Sequence, residues 1–241
     1  MIRIPILRAG MHEEFPDANM ALDEPNGLLA AGGDLSPERL LDAYRHGIFP
    51  WYSQGEPILW WSPDPRMVFA TDRIHVATRL RRWLRGCRWT IRADTAFVDV
   101  MRACAAPRAQ QSGTWITAGM LAAYQRLHAL GSAHSVEVYD ADLLVGGIYG
   151  VAVGHMFFGE SMFSAANNGS KVALIALGKT LHAWGFPLLD AQVASPHLQT
   201  LDAFELPRSR FLVEVARLCA KPHPPGNWSE RWPRMTASDL A

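Results

Sequence analysis

The chain has 241 residues, 23 basic and 23 acidic side chains, and 49% apolar residues, enough for one large folded unit or a small one joined to a medium one. Zero net charge excludes a generic polyanion binder, and there is no uninterrupted apolar run of about 18 residues to span a membrane. Met1-Ile2-Arg3-Ile4-Pro5 carries no export-type apolar stretch, and Cys87, Cys104 and Cys219 are too few and scattered for a disulfide framework or metal knuckle, so a cytoplasmic protein is expected.

In chain order, Glu24-Pro25-Asn26-Gly27 reads as a turn. Ser36 as N-cap, Pro37 at the first helical position, the stripe Leu40, Leu41, Tyr44 and the stop at Gly47 predict a helix. Pro63 and Pro65 around Asp64 exclude regular helix and place a boundary near residue 64. Between Asp72 and Asp94 there is no acidic residue, yet Arg73, Arg79, Arg81, Arg82, Arg85, Arg88 and Arg92 fall there, interleaved with Trp83 and Trp89. Forked guanidinium donors suit phosphate and indoles suit stacking. The run also reads as a solvated helix face, because arginine is simply common here: three of the 23 basic residues are lysine.

Helices are expected over 94–105 and 118–130, the second capped by Thr117 and closed by Gly131. Strands are expected over 135–139, 143–153 and 156–163, then a helix over 170–184 ending at Gly185 and a strand over 188–193. The segment from Pro222 to Pro233 is rich in proline and tryptophan without periodicity. Antiparallel strands leading into a helix and a further strand indicate an α+β fold.

Familiar cofactor motifs do not complete. Gly146-Gly147-Ile148-Tyr149-Gly150 does not spell a dinucleotide fingerprint, Gly169-Ser170-Lys171 lacks the rest of a P-loop, and Gly159-Glu160-Ser161-Met162-Phe163 lacks the second glycine of a nucleophile elbow. The nine histidines include no metal-binding spacing. No cofactor and no metal are therefore expected, and an enzyme of this kind needs a substrate that is already activated.

Four blocks carry a family resemblance. They are Glu24-Pro25-Asn26-Gly27-Leu28-Leu29-Ala30-Ala31-Gly32-Gly33-Asp34 running on to Trp60-Trp61-Ser62-Pro63-Asp64-Pro65-Arg66; Gly113-Thr114-Trp115-Ile116-Thr117; Gly159-Glu160-Ser161-Met162-Phe163-Ser164 with Ser170-Lys171; and Leu188-Leu189-Asp190-Ala191-Gln192-Val193 with His197-Leu198. In this order they resemble the leucyl/phenylalanyl-tRNA–protein transferase family. The resemblance implies an enzyme that moves Leu or Phe, less often Met, from aminoacyl-tRNA to the N-terminal Arg or Lys of an acceptor protein, marking it for degradation. It also implies a small N-terminal domain, residues 1–64, and a larger acetyltransferase-like (GNAT) domain, residues 65–241, with a mixed, largely antiparallel sheet flanked by helices. A monomer is expected.

An aminoacyl ester needs no ATP; the enzyme must hold ester and amine and manage one proton. The resemblance assigns the catalytic pair to Asp190 and Gln192, which lie two apart on a predicted strand and hence on one face; a structural carboxylate reads from the same residue. Glu160 is the expected partner of the cationic acceptor. By resemblance, Ile148, Phe157, Met162, Leu174, Leu177 and Leu189 form the aminoacyl pocket, although each also reads as core packing. Trp51 and Trp115, with Tyr44 and Tyr124 as further candidates, are expected to stack on the tRNA 3′ adenosine. Arg79, Arg81, Arg82, Arg85 and Arg88 are expected to grip tRNA phosphates. The chain departs from the family pattern at Ala165, Ala191 and Asp202, where Arg, Cys and Gly are usual. Two other readings stay open here: an acyl-CoA N-acyltransferase, whose pyrophosphate loop Ala165–Ser170 does not supply, and a non-catalytic RNA-binding module.

Overall fold

Two sheets divide the chain in the computed structural model, which describes residues 4–11, 13–106, 114–223 and 226–241. Residues 1–3 and Gly113 of the sequence reading lie outside the described residues. The first sheet is built from β1 (Ile6–Leu7), β2 (Leu28–Gly32), β3 (Phe49–Pro50) and β4 (Leu59–Trp61), in the order β1-β2-β4-β3. Between β2 and β3 runs α1 (Pro37–Arg45), which buries Leu40, Ala43 and Tyr44. Ser36 occupies the expected cap position, but its side chain makes no cap hydrogen bond; its backbone N–H donates instead to Asp34 Oδ1 at 3.0 Å.

The second sheet takes the remaining strands. In chain order the elements are β5 (Arg66–Ala70), α2 (Thr78–Leu84), β6 (Thr90–Ala93), α3 (Phe97–Ala105), α4 (Ala118–Ala129), β7 (Ala133–Asp140), β8 (Leu143–Val153), β9 (Met156–Ser164), α5 (Gly169–Ala183), β10 (Leu188–Gln192), α6 (Pro196–Gln199), β11 (Phe204–Leu206), α7 (Arg208–Cys219) and β12 (Met235–Thr236). The strand order is β11-β5-β10-β9-β8-β7-β6-β12, and only β9 and β10 run parallel. This is the mixed α+β architecture that the alternation of strand and helix patterns predicts.

Strand alternation sends neighbouring side chains to opposite faces, so the sheet separates two cores. Val68, Tyr149 and Phe158 join a core with Tyr44, Ile48 and Trp60 of the first sheet and its helix, and with residues of α3, α4 and α7. Met67, Phe69, Ile148 and Phe157 face the other way, against α5, Leu84 of α2, Trp228 and Leu240. The first core is continuous across residue 64.

The expected helix at 94–105 starts only at Phe97. Asp94 is buried with φ of 55°, and its carboxylate accepts bonds from His134 Nδ1 at 2.8 Å, Ser135 N at 2.9 Å and Trp228 N at 2.7 Å. These long-range partners, rather than a helix N-terminus, satisfy it. The indole of Trp228 stacks on the His134 ring at 3.9 Å, Trp232 meets Trp184 edge-on at 6.0 Å and His223 meets Phe186 at 4.8 Å. Several ring contacts thus hold the described part of the aperiodic stretch, of which residues 224 and 225 lie outside the described residues.

The glycine-rich stretch of β8 has a steric purpose. A Cβ on Gly146 would lie 2.3 Å from the Gly169 carbonyl carbon, where the start of α5 crosses the strand. Backbone cannot yield as a side-chain tip can, so we expect Gly146→Ala to lower stability by about 1–3 kcal/mol, read from the shift in the urea unfolding midpoint at unchanged m-value.

Candidate active site

The parallel neighbours β9 and β10 stay paired only as far as Phe158 and Asp190, and a β-bulge follows on each strand. On β9, Gly159 stands opposite Gly150 and Ser161 opposite Tyr149, which leaves Glu160 as the extra residue. A Cβ on Gly150 would lie 2.2 Å from the Phe158 carbonyl oxygen, so glycine permits this close approach. On β10, Asp190 pairs with Val68 and Gln192 with Met67, which leaves Ala191 as the extra residue; Gln192 has φ of 64°. Bulges re-aim side chains and end pairing. Here they open a cleft between the strands with Glu160 and Gln192 on its rim.

Asp190 does not point into that cleft. Its side chain is fully buried in a two-bond pair with Arg66 of β5: Nε to Oδ1 at 2.8 Å and Nη2 to Oδ2 at 2.6 Å. Arg66 Nη1 also donates to Gly47 O at 3.0 Å, and its guanidinium lies between the rings of Phe49 and Phe211, 4.7 and 4.6 Å from their centroids. The expectation that Asp190 and Gln192 share one face of a regular strand is corrected by the bulge between them. Asp190 Oδ1 accepts from the backbone N–H of Gln192 at 2.9 Å, while Gln192 Nε2 donates to Glu160 Oε1 at 2.8 Å.

Glu160 is therefore the hub. Besides Gln192 it accepts from Tyr44 Oη (2.7 Å to Oε1) and Tyr124 Oη (2.9 Å to Oε2), and the two phenols also meet each other. Burial pushes its carboxyl up to about 7, against the lowering effect of those three donors. Burial, and then the charge of Glu160, hold both phenols well above their usual range. The role expected for Tyr44 and Tyr124 is thereby overturned in geometry: both rings are fully buried, Tyr44 against Phe158 and Tyr124 edge-on to Tyr149, so neither presents a face to an adenine.

Two hollows meet at Glu160, Ser161 and Ala191. One, of about 320 Å³, is walled by Trp51, Trp115, Phe49, Gln192 and Val193. Trp51 is 44% exposed, its main-chain oxygen held by Trp61 Nε1 at 2.7 Å. The other, about 130 Å³ and largely apolar, is lined by Ile148, Met162, Leu174, Leu189, Phe69 and Leu198. Four of the six expected pocket residues are thus brought together. Phe157 and Leu177 lie in the core behind, both essentially inaccessible.

The remaining candidates stand apart. Arg79, Arg81, Arg82, Arg85 and Arg88 are all exposed, on α2 and just after it. Asp202 has φ of 67°, keeping the left-handed turn that glycine would favour, and Ala165 lies beside Ser164, Ser170 and His197 in another depression, of about 600 Å³, that Met162 also lines. A larger hollow of about 640 Å³ sits away from the cleft, against Asp34, Glu38, Arg39 and Arg126. Among the described residues, no group of three or more His, Cys, Asp or Glu could hold a metal ion. Sequence reasoning gave no role to Arg66, although it ends the quoted Trp60–Arg66 block; an arginine entering an apolar strand, Met67-Val68-Phe69, was the available signal.

Comparison with known proteins identifies the family. The profile described as "Leucyl/phenylalanyl-tRNA protein transferase" matches residues 68–216, and that of its N-terminal domain matches residues 33–64. The chain belongs to this family. The leucyl/phenylalanyl-tRNA–protein transferase of Xanthomonas euvesicatoria pv. vesicatoria is 60% identical over 239 residues, covering 99% of this chain and 96% of its own. That of Xanthomonas oryzae pv. oryzae is 61% identical over 236 residues, covering 98% and 94%. Among solved structures, L-PGS from Bacillus licheniformis aligns with 70% of this chain and 54% of its own at 9% identity and a TM-score of 0.37, too distant to assign a fold.

The buried pair makes a prediction about stability. Removing one partner strands a charge, so Arg66→Ala should cost about 3–5 kcal/mol, measured by chemical denaturation. The double change Arg66→Met with Asp190→Leu should recover most of that loss; an unstable double variant would show that the pair carries more than mutual neutralisation.

Proposed function

We propose that the cleft between β9 and β10 is where this family's reaction takes place in this chain: transfer of Leu or Phe from aminoacyl-tRNA to the N-terminal Arg or Lys of an acceptor protein. The observation that carries the reading is the meeting of two unlike hollows at one carboxyl group. An apolar hollow suits the Leu or Phe side chain, a tryptophan-walled hollow suits the terminal adenosine, and Glu160 sits between them. The ester joining amino acid to ribose would then lie beside Glu160.

Each residue has a task in this arrangement. Ile148, Met162, Leu174 and Leu189 exclude polar side chains. The flexible Met162 thioether adapts to donors of different shape, which extends the range to Met. Trp51 and Trp115 stack on the adenine, each stacked base being worth about 1–3 kcal/mol. Gln192, fixed by its Nε2 bond to Glu160, orients the attacking amine through Oε1. Asp190 and Arg66 act behind it, holding the Gln192 backbone. The exposed arginines after residue 78 hold acceptor-stem phosphates without reading sequence.

The same reading includes an acetyltransferase-like architecture for residues 65–241, with residues 1–64 as a smaller N-terminal part. It is supported by the mixed, largely antiparallel sheet and by the confinement of the small sheet to residues 6–61. A monomeric cytoplasmic enzyme whose products are marked for degradation completes it.

The test uses radiolabelled leucyl-tRNA with two peptides, one beginning with Arg and one with Ala. Label should move to the Arg peptide alone. Transfer to both would defeat the acceptor rule, and transfer to neither would defeat the reading. For the arginines, replacing Arg81, Arg82 and Arg85 by Ala should weaken tRNA binding at all sequences and flatten the salt dependence by about 1 in slope per lost contact; unchanged affinity and slope would remove them from the interface.

A further inference from the structure

Glu160, Tyr44 and Tyr124 form a closed triangle, and its protons do not match its contacts. Tyr44 meets Glu160 Oε1 at 2.7 Å, Tyr124 meets Oε2 at 2.9 Å, and the two hydroxyls meet each other. Three contacts need three protons, but two phenols supply only two. With Glu160 ionised, one edge of the triangle sets lone pair against lone pair. A third proton, on the carboxyl, turns every edge into a hydrogen bond. The Gln192 bond to Oε1 brings its own proton and leaves the count unchanged.

The groups around the triangle define which atom receives that proton. Tyr44 comes from α1, Tyr124 from α4, Tyr149 from β8 and Gln192 from β10; Cys104 of α3 lies near Tyr149, whose hydroxyl is buried without a partner among the described residues. Asp190 of β10 is engaged by Arg66 of β5 through both carboxylate oxygens. A proton on Asp190 would unpair a fully buried guanidinium, and the Gln192 amide has no basic atom. The phenols stay protonated, because burial and the Glu160 charge raise them. Glu160 remains, and it borders both hollows, as Ser161 and Ala191 do.

We propose that Glu160 is the proton acceptor of the transfer reaction, taking the proton that the acceptor's α-amine loses while the tyrosine hydroxyls close the triangle around it. The proposal rests on the aminoacyl-transfer reading of the cleft. The amine nitrogen attacks the ester carbonyl carbon and forms the C–N bond, and one N–H proton passes to Glu160. The C–O bond to the terminal ribose then breaks, and the ribose oxygen leaves with the proton returned by Glu160. An acceptor arriving as an ammonium ion, with a pKa of about 8, first loses one proton to solvent.

The test is the pH profile of peptide-product formation from leucyl-tRNA and an Arg-peptide, for the wild type and for Tyr44→Phe, Tyr124→Phe and Glu160→Gln. The wild-type rate should rise through a midpoint near that of Glu160, about 7, because the carboxyl accepts a proton only when ionised. Removing either phenol takes away one donor to the carboxyl and opens the triangle, so the midpoint should move away from the wild-type value with the acceptor KM nearly constant. The acceptor amine titrates identically in all variants, so a shift between them reads the protein. Glu160→Gln should lower kcat by about 10²–10⁴ and change the acceptor KM only a few-fold. A Glu160 that merely holds the acceptor's cation gives the opposite: KM rises, kcat persists, and the tyrosine variants leave the midpoint in place. That result overturns the proposal, and circular dichroism of each variant separates it from misfolding. A wild type that transfers nothing overturns instead the function on which the proposal rests.

Discussion

A guanidinium and a carboxylate share the interior between β5 and β10, and the cleft takes its shape from how they neutralise each other. Neither charge can be buried alone at tolerable cost, so each fixes the other. Arg66 reaches Asp190 on β10, Gly47 after α1, Phe49 on β3 and Phe211 on α7 at once. One side chain thus ties the first sheet, the second sheet and a late helix to a common point. Asp190 passes the constraint on through the Gln192 backbone N–H, and Gln192 through its amide to Glu160.

The site holds two carboxylates in opposite surroundings. Asp190 is matched by a formal cation through two hydrogen bonds; Glu160 is met by neutral donors only, and burial lifts it to about 7. Asp190 is held by Arg66 as a brace, while in the proposed reaction Glu160 takes the proton. Both bulges are needed for the division, since a regular strand would give neither Glu160 nor Gln192 its present direction.

What the sequence made legible was local. Thr117 caps α4 by accepting from Met120 N at 3.2 Å, as its position implies, and β8 spans the predicted 143–153 because its apolar run ends in strong turns. Four apolar residues of the smaller hollow and the two tryptophans of the larger were also within reach of motif comparison. Long-range pairing was not. Asp94 looked like the start of a helix because its three donors come from residues 40 to 134 positions away. Tyr44 and Tyr124 looked like stacking surfaces because only the fold reveals that their hydroxyls are committed to Glu160. A bulge has no periodic signature, so the divergence of Asp190 and Gln192 was invisible as well.

The strand order also dictates a sequence of events during synthesis. β5 sits between β10 and β11, whose residues 188–192 and 204–206 are made more than a hundred positions later. Until then an apolar segment, Met67-Val68-Phe69, has no neighbour in its sheet, and Arg66 has no carboxylate to meet. Closing so long a loop before the contact rewards it makes folding slow and leaves an exposed edge in the nascent chain. The cleft can therefore close only after residue 192 has been made, and a chain cut short before β10 has neither a complete second sheet nor Asp190 and Gln192.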